Sequence, residues 1–214
     1  MTEYFIFGYG VPKDIMIDEQ YRRYLSFVFN AIYAASANNQ AMIVFCGGKT
    51  DCIKAPYART EAEEMKKLFT LLAERPFVRE QTSAWRYGTV KTTLSSLENI
   101  LAAVERLRKR PAVIFCEMTR AERVRTLARR AFGKKKATVI PVDFDMSPNR
   151  YLEVDFLARR ERHDLRCELA ALADKKKLAD WRAHHKRKLA FFRTHGYARD
   201  PNVVRQWWEE EMKK

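Results

Sequence analysis

Residues 41–48 read Ala41-Met-Ile-Val-Phe-Cys-Gly-Gly48, six apolar residues closed by two glycines. A short β-branched and aromatic run bounded by turn formers fits a strand buried on both faces. Upstream, Tyr21, Leu25, Val28 and Ile32 stand at i, i+4, i+7 and i+11, one face of a helix, and before them Tyr4–Phe7 ends at Gly8 and Gly10. Downstream, Ala62, Met65, Leu68, Phe69 and Leu72 form a second helical stripe. A weaker strand is expected near Phe77-Val78, ending at Glu80. A third stripe follows through Leu94, Leu97, Ile100, Leu101, Val104 and Leu107. Ala112–Cys116 then ends at Glu117, Val124, Leu127, Ala128 and Ala131 mark a helix, and Thr138–Val142 ends at Asp143. Thr60-x-x-Glu63 and Thr119-x-x-Glu122 both fit a capping box, a helix start. Strands alternating with helices predict an α/β fold, a mostly parallel sheet of about five strands covered on both faces. Right-handed crossovers make it three-layered and doubly wound.

From about residue 151 the strand signals stop. Helices are expected over 152–173, 175–193 and 201–212, with apolar faces at Leu165, Leu169 and Leu172, at Trp181, Leu189 and Phe192, and at Val203, Val204, Trp207 and Trp208. Pro201 suits the first turn of the last helix, after a break at Gly196. The expected division is 1–150 for the α/β domain and 151–214 for an α-helical C-terminal extension, with the boundary at 145–149.

The 214 residues suffice for one core plus an extension, and 47% hydrophobic content excludes a disordered chain. The start lacks the basic segment and long apolar run of a signal peptide, and no stretch is apolar enough for a membrane helix. Cys46, Cys52, Cys116 and Cys167 form no CxxC pair and read as reduced thiols, giving a cytoplasmic expectation; Cys46 and Cys116 read as small buried apolar residues. All four histidines (His163, His184, His185, His195) fall in the last quarter. The first 150 residues thus offer no Ser-His or Cys-His pair, and no metal site is expected.

In an open parallel sheet, ligands bind beyond the carboxyl ends of the strands. That geometry nominates Gly8, Gly10, Gly47, Gly48, Glu80, Glu117 and Asp143. Glycines at those ends either let backbone N–H groups approach an anion or simply make the turn. Neither pair completes GxGxxG or GxxxxGK[ST], which argues against a standard dinucleotide enzyme and a P-loop NTPase.

The order of these motifs resembles the bacterial YdcF/SanA/ElyC-like family, a domain of unknown function. The resemblance runs from about residue 3 to 145. It rests on Phe7-Gly8-Tyr9-Gly10, Cys46-Gly47-Gly48, the helix opening Thr60-Glu61-Ala62-Glu63-Glu64-Met65, Glu80-x-x-Ser83, Ser96-x-Glu98-Asn99, and Arg123 after the fourth strand. About ten extra residues separate Glu80 from Ser96, Ser96 replaces the usual Thr, and Arg120 stands where the family has His. The resemblance implies a Rossmann-like fold. Lacking a membrane anchor, the chain compares best with the soluble YdcF-like branch, for which binding of S-adenosylmethionine or another nucleotide-like ligand is expected, with no established reaction. The implied site residues are Gly8, Gly10, Gly47, Gly48, Thr60, Glu61, Glu80, Ser83, Ser96, Glu98, Asn99, Glu117, Arg120 and Arg123. Thr60 and the N–H groups behind it are candidates to hold a phosphate or carboxylate, with Arg123 pairing the same charge. Glu80 and Glu98 are candidates for ribose hydroxyls, an amine or a divalent cation. Thr60 also reads as a plain cap, Glu98 as a solvated charge, and Asn99 as a partner for a neighbouring loop. Trp85 and Tyr87 in the extra segment read equally as a lid stacking on a base, a hairpin or a packing patch.

A net charge of +14 supplies the competing expectation, nucleic acid as partner. Residues 104–136 hold 12 Lys/Arg against 3 acids, and 156–199 hold 13 against 5, including Lys175–Lys177 and His184-His-Lys-Arg-Lys188. No zinc finger, RRM or KH signature accompanies them, and such runs are also common as solvated helix faces.

Overall fold

Along β1 (Thr2–Phe7) successive side chains turn to opposite sides: Tyr4 and Ile6 join one buried cluster, Phe5 and Phe7 another. The computed structural model describes residues 2–8, 15–36, 40–52, 55–107, 111–133, 137–143, 154–195 and 202–213. After α1 (Glu19–Ala35) come β2 (Ala41–Cys46), α2 (Glu61–Ala73), α3 (Pro76–Thr82), β3 (Arg86–Val90) and α4 (Ser96–Arg106). β4 (Ala112–Glu117), α5 (Ala121–Phe132) and β5 (Ala137–Val142) complete the α/β part. The five strands form one sheet in the order β3-β2-β1-β4-β5, every neighbouring pair parallel.

On one face, Tyr21, Leu25, Val28 and Ile32 of α1 pack with Met65 and Phe69 of α2. On the other, Leu97 and Ile100 of α4 pack with Val124 and Leu127 of α5. Both layers carry the apolar stripes written in the sequence, and the result is the expected three-layer, Rossmann-like α/β fold.

The third strand lies elsewhere than expected. Residues around Phe77-Val78 form α3, started by Pro76 in its first turn, and the strand is Arg86–Val90. β3 is a sheet edge and is only half buried, so it lacks the continuous apolar run of the central strands. The extra segment between Glu80 and Ser96 thus contains the strand itself. Trp85 is core, packed between Phe29 and Phe69 at 5.5 and 6.2 Å between ring centroids, which removes the lid reading. Thr119-x-x-Glu122 does not cap either: Thr119 lies in a 3-10 turn, Met118–Arg120, and its hydroxyl donates to Glu117.

α6 (Val154–Ala173), α7 (Lys175–Thr194) and α8 (Asn202–Glu211) match the expected helices, with α7 capped by Asp174. Leu165, Leu169 and Leu172 of α6 pack against the α4/α5 cluster. Leu189, Phe192, Val203, Trp207 and Trp208 form a further core between α7 and α8. Gly10, Arg108–Arg110, Lys134–Lys136, the expected 145–149 boundary, Gly196 and Pro201 lie outside the described residues.

Candidate functional site

Strand order reverses between β1 and β4, so Gly8 and Glu117, at their carboxyl ends, flank the topological switch point. The Tyr24 hydroxyl, rising from α1, sits 2.9 Å from the Phe7 carbonyl and 3.1 Å from that of Phe115, tying the two strand ends together. A cavity of about 160 Å³ opens above them. Its floor is Gly8, Gly47 and Glu61. Thr50, Thr93, Ser95, Ser96 and Asn99 form one wall, and Glu117, Thr119, Arg120 and Arg123 the other. The roof comes from the C-terminal helices: Arg160 and Asp164 of α6, His185 and Lys188 of α7, and Trp208 of α8.

The floor explains its glycines. The Glu61 carboxylate accepts from the Tyr21 hydroxyl and lies against both strand ends. A Cβ on Gly8 would fall 2.4 Å from Glu61 Cδ, and one on Gly47 2.6 Å from Glu61 Cβ. Here glycine makes room for a buried carboxylate. The backbone N–H groups are already used: Gly8 donates to Cys46, Gly47 to Val90 and Gly48 to Thr93, at 2.9, 3.0 and 2.7 Å. At the start of α2, Glu61 and Ala62 donate to the carbonyls of Gly48 and Gly47, and Glu63 donates to the Thr60 hydroxyl. Thr60 in turn donates to the Glu63 carboxylate, so it is a cap, and α2 offers no free N-terminus for an anion.

The start of α4 is occupied from within. The Leu97 N–H, where a ligand anion would sit, donates to Glu168 of α6 at 3.1 Å. The same carboxylate lies 2.8 Å from Arg123 Nη1, while Glu161 accepts from Arg123 Nε at 2.7 Å and Asp164 lies 3.5 Å away. Arg123 is therefore satisfied by three carboxylates of one helix, at i, i+3 and i+7. It holds α6 on α5 and is spent as an anion receptor. Burial pushes the Glu168 carboxyl up. Burial also acts to raise Asp164, but Arg123, with His163 3.7 Å away, overrides it and holds that carboxyl at about 2.

Of the residues expected at the site, Gly8, Gly47, Glu61, Ser96, Asn99, Glu117, Arg120 and Arg123 line the cavity. Gly48 and Thr60 lie behind it in the bonds just described. Glu80 and Ser83 are exposed, in and just after α3, removed from any strand end because the strand expected there is a helix. Glu98 accepts from the Leu94 N–H at 2.8 Å and from Arg182 at 2.9 Å, closing the α4 cap with Ser95. Asp143 is exposed and outside the cavity, and Cys46 and Cys116 are buried with thiols pushed up to about 12 by burial.

The extension adds what the first 150 residues lack. His185, 4% exposed, faces the cavity with neither ring nitrogen hydrogen-bonded. Thr50 Oγ1, Thr93 Oγ1 and Asn99 Oδ1 are likewise buried without a partner. Lys188 has no carboxylate within 4.0 Å of Nζ among the described residues. Its ammonium instead lies 5.3 Å from the centre of the Trp208 ring, which Arg160 also approaches at 5.3 Å. Burial, with Arg160, Arg120 and Arg123 nearby, pushes Lys188 down to about 8 against the attraction of Asp164. A stripe predicts this inward set: Trp181, His184, His185, Lys188, Leu189 and Phe192 share one face of α7, leaving Lys186 and Arg187 exposed.

His184 stacks on Trp181 with centroids 4.8 Å apart, and burial, then Lys188, pulls its pKa to about 4. Burial likewise holds His185 well below its ordinary value. The unfolded histidines take up protons near pH 6.5, so stability present above that value is lost as pH falls toward 4. The expected result is a melting temperature that drops between pH 6.5 and 4.5. The drop is shallower in His184→Phe, which keeps the stacking and removes the proton. An unchanged slope in that variant contradicts the assignment.

Comparison with protein-family models, curated proteins and solved structures finds no match. Among the described residues, no helix is long and apolar enough to cross a membrane.

Proposed function

We propose that the strand-end cavity binds a small anionic ligand whose charge is met by Lys188. The observation that carries this reading is the Lys188 ammonium, with no carboxylate within 4.0 Å among the described residues, above a cavity where Thr50, Thr93, Asn99 and His185 all keep unfilled hydrogen-bonding atoms. Buried polar groups left unpaired each cost about 1–3 kcal/mol, so a polar occupant is strongly favoured. The volume suits a phosphate or carboxylate on a small frame. Nucleotide-like ligands, S-adenosylmethionine first, seat their charged end in the same place, but whole molecules of that size require α6–α8 to move outward.

A thermal-shift panel tests this with inorganic phosphate, small mono- and dicarboxylates, adenine nucleotides and S-adenosylmethionine. A ligand at 100 times its dissociation constant raises stability by about 2.7 kcal/mol. Lys188→Met is expected to weaken that binding roughly 10- to 100-fold, the loss of one charge-assisted hydrogen bond. Equal affinity in the variant removes Lys188 from the site. No shift with any compound, together with salt-sensitive binding of duplex DNA, transfers the proposal to the exposed Lys175–Lys177, Lys186 and Arg187 face of α7.

A further inference from the structure

Lys188 has the surroundings of a nucleophile as well as those of a counter-ion. Buried lysine ammonium groups are ordinarily paired with a carboxylate, which keeps them protonated and inert. Here the carboxylate that attracts it, Asp164, makes no ion pair with Nζ and is shared with Arg123 at 3.5 Å, and cations outnumber it. Arg120, Arg123 and Arg160 all lie close enough to repel the ammonium. Of their carboxylates, Glu161 and Glu168 are bound to Arg123, and Glu117 stands 3.7 Å from Arg120. The Trp208 ring closes one side. One turn earlier on the same face of α7, His185 faces the cavity with both ring nitrogens unengaged.

We infer that Lys188 forms a Schiff base with a small oxo acid held in this cavity, Arg120 and Arg160 receiving the acid's carboxylate and His185 relaying the proton. The inference rests on the anion-binding reading above and names its substrate class. The chemistry balances without an added reactant. Lys188 reacts as its neutral amine, the ammonium proton having passed to solvent, and the Nζ lone pair attacks the ketone or aldehyde carbon while the carbonyl π pair moves to oxygen. Proton transfer from nitrogen to that oxygen, relayed by His185, gives a carbinolamine. The hydroxyl then leaves as water with a proton returned from solvent by the same relay, as the nitrogen lone pair forms the C=N bond. In sum, the oxo acid and the lysine ammonium become a protonated imine and water, with His185 neutral before and after. The low amine basicity supplies the neutral form of the lysine near neutral pH. The flanking cations and the dry apolar side given by Leu189, Phe192 and Trp208 hold the acid's carboxylate and limit the water that would reverse the step.

The test treats the full chain with pyruvate or glyoxylate plus cyanoborohydride and maps reduced adducts by peptide mass spectrometry. The expected result is adduct on Lys188 at roughly ten-fold or more the level on exposed lysines such as Lys175 and Lys186. Lys188→Arg, which keeps a positive charge there and cannot form an imine, is expected to lose the adduct at this position while the surface lysines keep their level of labelling. Wild-type protein that is shifted by pyruvate but labelled no more at Lys188 than at surface lysines overturns the imine while leaving anion binding intact. Wild-type protein that is neither shifted nor labelled at Lys188 overturns both.

Discussion

Arg123→Ala is expected to destabilise the fold by about 3–5 kcal/mol, the cost of leaving a buried charge network without its counter-ion. Glu161, Asp164 and Glu168 all converge on this guanidinium, and the Asp164 and Glu168 side chains are almost wholly buried. For a chain of this length that loss lowers the melting temperature by roughly 10 °C or more. Arg123→Lys recovers only part of it, because a point charge cannot serve three acceptors in the plane of a guanidinium. The pH dependence separates this account from a simple packing loss. In the wild type, Asp164 sits at about 2, so its contribution is present above the unfolded value near 4 and is lost as pH falls through 2. Glu168 is raised by burial and acts oppositely: its contribution is present below its unfolded value and lost as pH rises through the folded one. Without Arg123 burial acts unopposed on both carboxyls and favours their neutral forms. The gap between variant and wild type should therefore narrow from pH 7 to pH 4.5 in thermal melts. A gap that stays constant or widens contradicts the network's role.

Ending the chain at residue 153 is expected to abolish the cooperative melt. The truncation strips Leu165, Leu169, Leu172 and Trp181 from the α4/α5 cluster. It also removes all three carboxylates from Arg123 and the acceptor from the Leu97 N–H. Each large apolar side chain uncovered costs about 1.5–3 kcal/mol, so four such contacts alone approach the 5–15 kcal/mol that holds a whole domain folded. A fragment of residues 1–153 that melts cooperatively near the temperature of the full chain would show that the α/β part stands alone. Circular dichroism melts of the two proteins decide it.

The central strands and the helices that cover them were legible in the sequence because each is buried along a continuous run or stripe. Ala41–Cys46 is the clearest case, its expected and observed bounds being the same. β3 was not legible: as an edge it needs neither an apolar run nor alternation, and Arg86-Tyr-Gly-Thr-Val reads as loop. Pro76 at the head of α3 was the available signal against a strand there. At the candidate site, the strand-end residues Gly8, Gly47 and Glu117 followed from topology alone. Lys188 and His185 were hidden because a run of basic residues reads as one solvated patch. Setting the run on the α7 periodicity fixed by Trp181, Leu189 and Phe192 divides it, with His184, His185 and Lys188 inward and Lys186 and Arg187 outward. Glu161, Asp164 and Glu168 share one α6 face in the same way, and only the structure shows that Arg123 is their partner.

The central claim is that the sheet and the C-terminal helices together build an anion site with Lys188 as its cation. A crystal structure of the full chain grown in phosphate tests it most directly. The account predicts a phosphate under α7 and α8, within hydrogen-bond distance of Lys188 Nζ and of at least one of Thr50, Thr93, Asn99 and His185. Density showing only water in the cavity, with phosphate bound instead on the exposed lysines of α7, would contradict it.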